Sequence, residues 1–242
     1  MMRDFHLPGR SPVYAGEAMA ATSHPLATQA AIDVLKAGGT AADAAVTACA
    51  VLCVVEPAMT GIGGDCFTLV SKPGKPVWGY NGSGRAGAKA STQALLDQGI
   101  KSIGVTSGHA VTVPGCVAAW AEMSAKFGKL PFAKLFEPAI RYGREGFLVS
   151  ATIAGQWDKQ VAELKGQPGF AEAFLRGGRA PAPGEVFTFP EHAATLEKIA
   201  ATKGAAFYSG ELAERMEAHS KAHGGVMRVA DLAANRPDWV DT

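Results

Sequence analysis

The chain has no excess of either charge: among its 242 residues, 23 Lys and Arg face 22 Asp and Glu, a formal net charge of +1. Nucleic acid and anionic membranes are bound by clustered Lys and Arg, so neither is expected as a partner. Cysteine is sparse. Cys49, Cys53, Cys66 and Cys116 contain no C-x-x-C pair, which excludes a zinc-finger site, and they are too few for a dense disulfide framework. Cys49 and Cys53 lie in an apolar segment and read as buried thiols. No apolar run reaches the ~20 residues that a bilayer-spanning helix needs. The longest, 41–55, is interrupted by Asp43. The histidines (His6, His24, His109, His192, His219 and His223) form no H-E-x-x-H pattern. His219 and His223 share a predicted helix, but no acid on that face completes a metal set. No metal and no cofactor are therefore expected. The opening MMRDFHLPGRSP lacks the apolar core of a signal peptide, so the expected location is cytoplasmic.

What the chain does have is glycine, small residues and helix punctuation. Pro25 to Lys36 reads as a helix that Ser23 or His24 can cap and Gly38-Gly39 stop. Thr40 is the N-cap of a second helix, with Asp43 placed as in a capping box. From Ala44 to Val55 that helix is apolar on every face, as for a helix touched on all sides inside a protein. A hairpin follows, with strands over Cys66 to Val70 and Pro76 to Tyr80 around the turn at Lys72-Pro-Gly-Lys75. Further helices are predicted over Pro114 to Phe127, Pro131 to about Tyr142, 151–164, 190–203 and 210–222. The segment Gly177 to Pro190, rich in proline and glycine, is the expected loop or subdomain joint of a single-domain portion spanning 1–242. Strands are few for so apolar a second helix. Either the helices bury one another, or the covering sheet lies elsewhere.

The stretch Asn81-Gly-Ser-Gly-Arg-Ala-Gly87 contains a formal G-x-G-x-x-G match. A dinucleotide site needs those glycines directly between a strand and a helix N-terminus, so that amides and dipole meet the pyrophosphate. A strand precedes it, but the next helix has its N-cap only at Ser91 or Thr92. The following candidate strand, His109 to Val113, carries no acidic residue for a ribose. No glycine stretch leads into Gly-Lys-Ser/Thr, so a phosphate loop is excluded too. What remains is Arg85 on a bend between glycines. It is either a surface arginine at the hairpin exit or a clamp that takes a substrate carboxylate through two parallel hydrogen bonds. Asp65, after Gly63-Gly64, either orients a catalytic group or, as we favour, hydrogen-bonds loop amides. No Ser, Cys or Thr sits in a nucleophile elbow.

Several segments in one order resemble the γ-glutamyltransferase family of N-terminal-nucleophile hydrolases. They are ATSHPLATQAAIDVLKAGGTAADAAVTA, EPAMTGIGGDCFTLV, NGSGRAGAKAS, AVTVPGCVAAWAEMSAKFGKLPFAKLFEPAIRYGREGFLVS and FYSGELAERMEAHSKAHGGVMRVADLA. The resemblance spans nearly the whole chain. It implies an α+β fold, the helix-rich large-subunit part of an αββα sandwich with few strands in this portion. It also implies a precursor that cuts itself before a threonine, which then serves as nucleophile with its own α-amino group as base. The cleavage motif, the nucleophile and the oxyanion glycines of that family would lie beyond Thr242, so the small subunit from the same precursor is an expected partner and this chain alone is expected to be inactive.

By that resemblance Arg85 is the partner of the substrate's α-carboxylate, and the implied substrate is a γ-glutamyl amide such as glutathione. Two departures from the family pattern stand out. Ala86-Gly87 replaces the usual Ala-Pro, and Asp65 stands where many members have glycine. They leave a glutaryl amide, as in acylase-like members, as an alternative donor. A non-catalytic scaffold or binding protein of the same fold is the other alternative. Without a second subunit the apolar face around Val46 to Val55 is expected to lack cover and to promote self-association.

Overall fold

A computed structural model describes residues 12–236 and 238–241; the MMRDFHLPGRS opening, with His6 and the signal-peptide reading made on it, lies outside them. The described elements run α1 (Pro25–Lys36), α2 (Ala41–Val55), β1 (Cys66–Val70), β2 (Trp78–Gly82), α3 (Thr92–Asp97), α4 (Cys116–Phe127), α5 (Glu137–Glu145), β3 (Phe147–Leu148), α6 (Ala151–Leu164) and α7 (Phe170–Phe174). They continue with β4 (Val186–Phe187), α8 (Pro190–Thr202), α9 (Ala205–Tyr208), α10 (Glu211–Ala222), α11 (Val229–Ala233) and β5 (Asp238–Val240). Short 3-10 turns cover Gly108–Ala110 and Phe132–Phe136. None of the described helices is long and apolar enough to cross a membrane.

Helix α2 lies at the centre, against α1, α4 and α5. Val46, Val51, Val54 and Val55 are at most 2% exposed, so the expectation of an uncovered apolar helix face does not hold. The helices bury one another. The start of α2 is fixed by a capping box in which Asp43 accepts the Thr40 amide at 2.8 Å and its own amide donates to the Thr40 hydroxyl at 3.2 Å. The same carboxylate oxygen accepts the amides of Lys129 at 2.9 Å and Leu130 at 3.3 Å, and Asp43 is fully buried. One aspartate therefore ties the α1–α2 junction to the loop that follows α4. At α1 the cap is His24, whose Nδ1 accepts the Leu26 amide at 3.2 Å, while Ser23 donates to the Glu56 carboxylate at the far end of α2.

Three element boundaries differ from the sequence expectation. The returning strand is Trp78–Gly82, not Pro76 to Tyr80, because it stays paired until Gly82 faces Cys66. The segment 131–142 is not one helix. A 3-10 turn over Phe132–Phe136 precedes α5, since the ring of Pro138 would strike the carbonyl four residues earlier in a continuous α-helix. The third, α4, begins at Cys116, not Pro114. The amides of Gly115 and Cys116 both donate to the Gly64 carbonyl, at 3.1 and 3.0 Å, and the Pro114 carbonyl accepts from the Tyr208 hydroxyl at 2.8 Å. Segment 177–190 holds β4, which pairs with β3.

The larger sheet has the order β1-β2-β5, antiparallel throughout. Its register puts Cys66, Thr68, Val70, Trp78, Tyr80 and Trp239 on the face toward the helices. There Tyr80 meets Trp239 and Trp78 meets Phe127 of α4, with ring centroids 4.9 and 5.5 Å apart. Phe67, Leu69, Asn81, Asp238 and Val240 share the opposite face. Phe67 is 69% and Leu69 73% exposed: this face has no cover among the described residues.

Candidate functional site

Three backbone segments cross where β2 ends: the glycine loop before β1, the stretch 82–87, and 113–116 before α4. The Val113 amide donates to the Arg85 carbonyl at 2.9 Å. Gly84 passes so close beneath Val113 that a methyl group there would overlap the Val113 carbonyl. The glycines of GSGRAG thus serve backbone-to-backbone approach. No helix N-terminus follows them directly, since α3 starts at Thr92 with Ser91 as its cap, in keeping with the exclusion of a dinucleotide site. The predicted strand His109 to Val113 is instead a 3-10 turn capped by Ser107, then extended chain.

Asp65 takes the loop role favoured from sequence: its Oδ1 accepts the Gly84 amide at 3.0 Å, bridging the glycine loop to the arginine bend. Two further aspartates brace the segment, and sequence reasoning missed both. Asp231 accepts the Ala88 amide at 2.8 Å while also receiving the Arg228 amide at 2.9 Å. Asp238 faces Arg85, Nη2 to Oδ2 3.4 Å, with the two side chains 80% and 60% exposed. These partners lie 143 and 153 residues from Ala88 and Arg85, so no local spacing could have revealed them.

Arg85 itself stands in the open at the rim of the bare sheet face. A cleft of about 1040 Å³ lies elsewhere: Ile62 and Gly63 of the glycine loop reach it, with Ser107, Lys198, Arg215 and His219, but Arg85 does not. The lining of that cleft is mainly apolar, whereas Arg85 presents an exposed guanidinium whose partner is also exposed. His219 and His223 are exposed, with ring centroids 4.4 Å apart, and no group of three metal-binding side chains occurs among the described residues.

A helical layer packed on one face of an antiparallel sheet whose other face is bare is half of an αββα sandwich, the architecture of N-terminal-nucleophile hydrolases. Residues 27–242 match the gamma-glutamyltranspeptidase family, and the chain belongs to it, corresponding to its N-terminal, large-subunit part. It is 40% identical over 223 residues to the glutathione hydrolase-like YwrD proenzyme of Bacillus subtilis, covering 91% of this chain and 42% of that protein. It is 38% identical over 226 residues to the oxamate amidohydrolase proenzyme of Klebsiella pneumoniae, covering 90% of this chain and 42% of that relative. Among solved structures, the cephalosporin acylase from Bacillus halodurans superposes with a TM-score of 0.87 at 41% identity, over 98% of this chain and 46% of that one. The chain thus spans less than half the length of each of these relatives.

Proposed function

We propose that the complete protein is a hydrolase or acyltransferase acting on γ-glutamyl amides, in which this chain supplies the group that holds the substrate's carboxylate. The observation that carries the reading is Arg85, an exposed guanidinium on a rigid glycine crossing whose ion-pair partner, Asp238, is itself exposed. An exposed pair of this kind contributes only about 0–1 kcal/mol, so an entering carboxylate can take the guanidinium in exchange. Two parallel hydrogen bonds from Arg85 then fix the acyl chain in orientation. The names of two relatives agree with this, since glutathione and oxamate each combine an amide with a carboxylate.

The nucleophile in this reading is a threonine freed at the start of a small subunit made from the same precursor. Its α-amino group takes the hydroxyl proton as the oxygen attacks the amide carbonyl, giving an acyl-enzyme and releasing the amine. Water or an amine acceptor then removes the acyl group. The second sheet supplied by that subunit covers Phe67 and Leu69. The chain by itself holds no such threonine and is expected not to hydrolyse a γ-glutamyl anilide. Detectable turnover by it would overturn this assignment of roles.

Arg85→Ala in the processed protein is expected to raise KM with little change in kcat, by roughly tenfold to a hundredfold for a lost charge-assisted hydrogen bond of about 1.5–3 kcal/mol. An unchanged KM rules out the clamp. A second reading, a glutaryl amide donor, is favoured by the likeness to the cephalosporin acylase. It uses Arg85 in the same way. Faster turnover of a glutaryl than of a γ-glutamyl anilide would select it.

A further inference from the structure

We propose that the cleft shared by α8, α10 and the glycine loop binds a small amphipathic anion, a medium-chain aliphatic carboxylate. Its hydrocarbon chain lies on the apolar floor and its head meets the cations of α8 and α10. The inference does not rest on the γ-glutamyl reading above.

Two abrupt turns make the hollow. Gly204 and Gly210, at φ 86° and 89°, stand on either side of α9, where a side chain is disfavoured. The short α9 packs against both α8 and α10, and its Phe207 lines the cleft. The other wall is the segment 105–111 together with Ile62 and Gly63. Gly108 brings that wall onto the chain after α10, since a methyl there would lie 3.1 Å from the backbone of Gly225. At about 1040 Å³ the cleft matches the upper end of the ~300–1,000 Å³ usual for small-molecule sites.

Floor and edge differ in chemistry. The buried lining residues Pro114, Phe207, Leu212 and Met227 form the floor. Val105 and Val111 carry the apolar lining outward, 83% and 51% exposed, so hydrocarbon is presented to solvent. Met216 and Met227 are unbranched and adapt to a flexible chain, and Phe207 is the one phenyl ring in the lining, which suits an aliphatic guest. The charged lining groups are the cations Lys198 and Arg215 against the single carboxylate of Glu191, with His219 and His223 beside them. Lys198 is engaged by Glu211 at 2.5 Å in an exposed pair that can exchange. Arg215 is exposed and makes no hydrogen bond among the described residues.

This combination selects the ligand class. A polyanion such as a nucleotide would leave the apolar floor wet, and an uncharged hydrocarbon would gain nothing from Arg215 and Lys198. One carboxylate on an aliphatic chain uses both: the chain is removed from water, and the head takes charge-assisted hydrogen bonds. The glycine loop that reaches the cleft through Ile62 and Gly63 also braces Gly84 through Asp65. The guest therefore lies against an element that helps to position Arg85.

The test is calorimetric titration of the processed protein with decanoate and with decanol, each below the concentration at which it aggregates. Decanoate is expected to saturate a single site, about tenfold more tightly than decanol for two exposed ion pairs. Arg215→Gln should weaken decanoate about fivefold, the upper range for one such pair, and leave decanol unchanged. Arg85→Ala should bind decanoate as the parent does. Decanoate carrying a chain-end diazirine should, on irradiation, label peptides that hold 105–111 or 207–227. No saturable heat, equal affinity for decanol, full decanoate affinity in Arg215→Gln, loss of it in Arg85→Ala, or label confined to other peptides would each overturn the proposal. Labelling of the parent decides where a variant fails to fold. Binding is read without turnover, so its failure leaves the γ-glutamyl reading standing, and failure of that reading leaves the cleft standing.

Discussion

Helix α2 and strand β1 are both apolar, yet the chain disposes of their side chains in opposite ways. In α2, Val51, Val54 and Val55 are fully buried among neighbouring helices. In β1 the alternate residues Phe67 and Leu69 stay about 70% exposed, at 69% and 73%. A helix can be enclosed by other helices, as α1, α4 and α5 enclose α2 here. A strand exposes two faces, and the helices of this chain cover one. The helical region is closed on itself, and the sheet region is built to receive something more.

The strongest test of this contrast lies at the crossing that joins the two regions. Gly84→Ala forces a methyl into the Val113 carbonyl, and with backbone on both sides neither partner can yield by a rotamer change. We expect a loss of more than about 4 kcal/mol, the range reserved for exceptional sites. It is measured as failure to fold or a collapsed urea midpoint, and near-normal stability would mean the segments do not cross as described.

Next in size is Asp43→Ala, within the helical region. It removes the cap of α2 and strands the buried amides of Lys129 and Leu130, for a loss on the order of 3 kcal/mol. The change should appear in the denaturation midpoint without a change in the sheet's near-ultraviolet signal. A loss below the value of an ordinary N-cap, ~1 kcal/mol, would show that Asp43 does no more than cap. The smallest effect on stability is expected from Phe67→Thr with Leu69→Thr. Exposed substitutions shift stability by about 0.5 kcal/mol or less. The pair should nonetheless reduce self-association of the isolated chain in sedimentation, or weaken its capture of the second subunit. A large stability loss would mean that the face is covered within the chain.

The helical half was the more legible part. Its caps and stops are local: Thr40 with Asp43, Ser91 before α3 and Gly128 after α4 act within a turn of where they stand. Where local reading stayed open or slipped, a distant partner had intervened. Of the two cap candidates, Ser23 is engaged by Glu56, which leaves His24 to cap α1. Pro114 reads as a helix start, yet Gly64 and Tyr208 claim the groups around it and α4 opens two residues later. At the site, Arg85 and Asp65 could be picked out because a charge among glycines is conspicuous. Asp231 and Asp238 could not, standing in an unremarkable C-terminal stretch.

The sequence by itself determined the order of helices, the central place of the apolar α2, and the unsuitability of the glycine stretch for a dinucleotide, because periodicity, caps and helix starts are properties of neighbouring residues. Only the tertiary structure decided what the glycines are for and which carboxylate meets Arg85. Each of these depends on segments far apart in the chain being brought within hydrogen-bonding distance, and close approach of backbones leaves no mark on local spacing beyond the glycine that permits it.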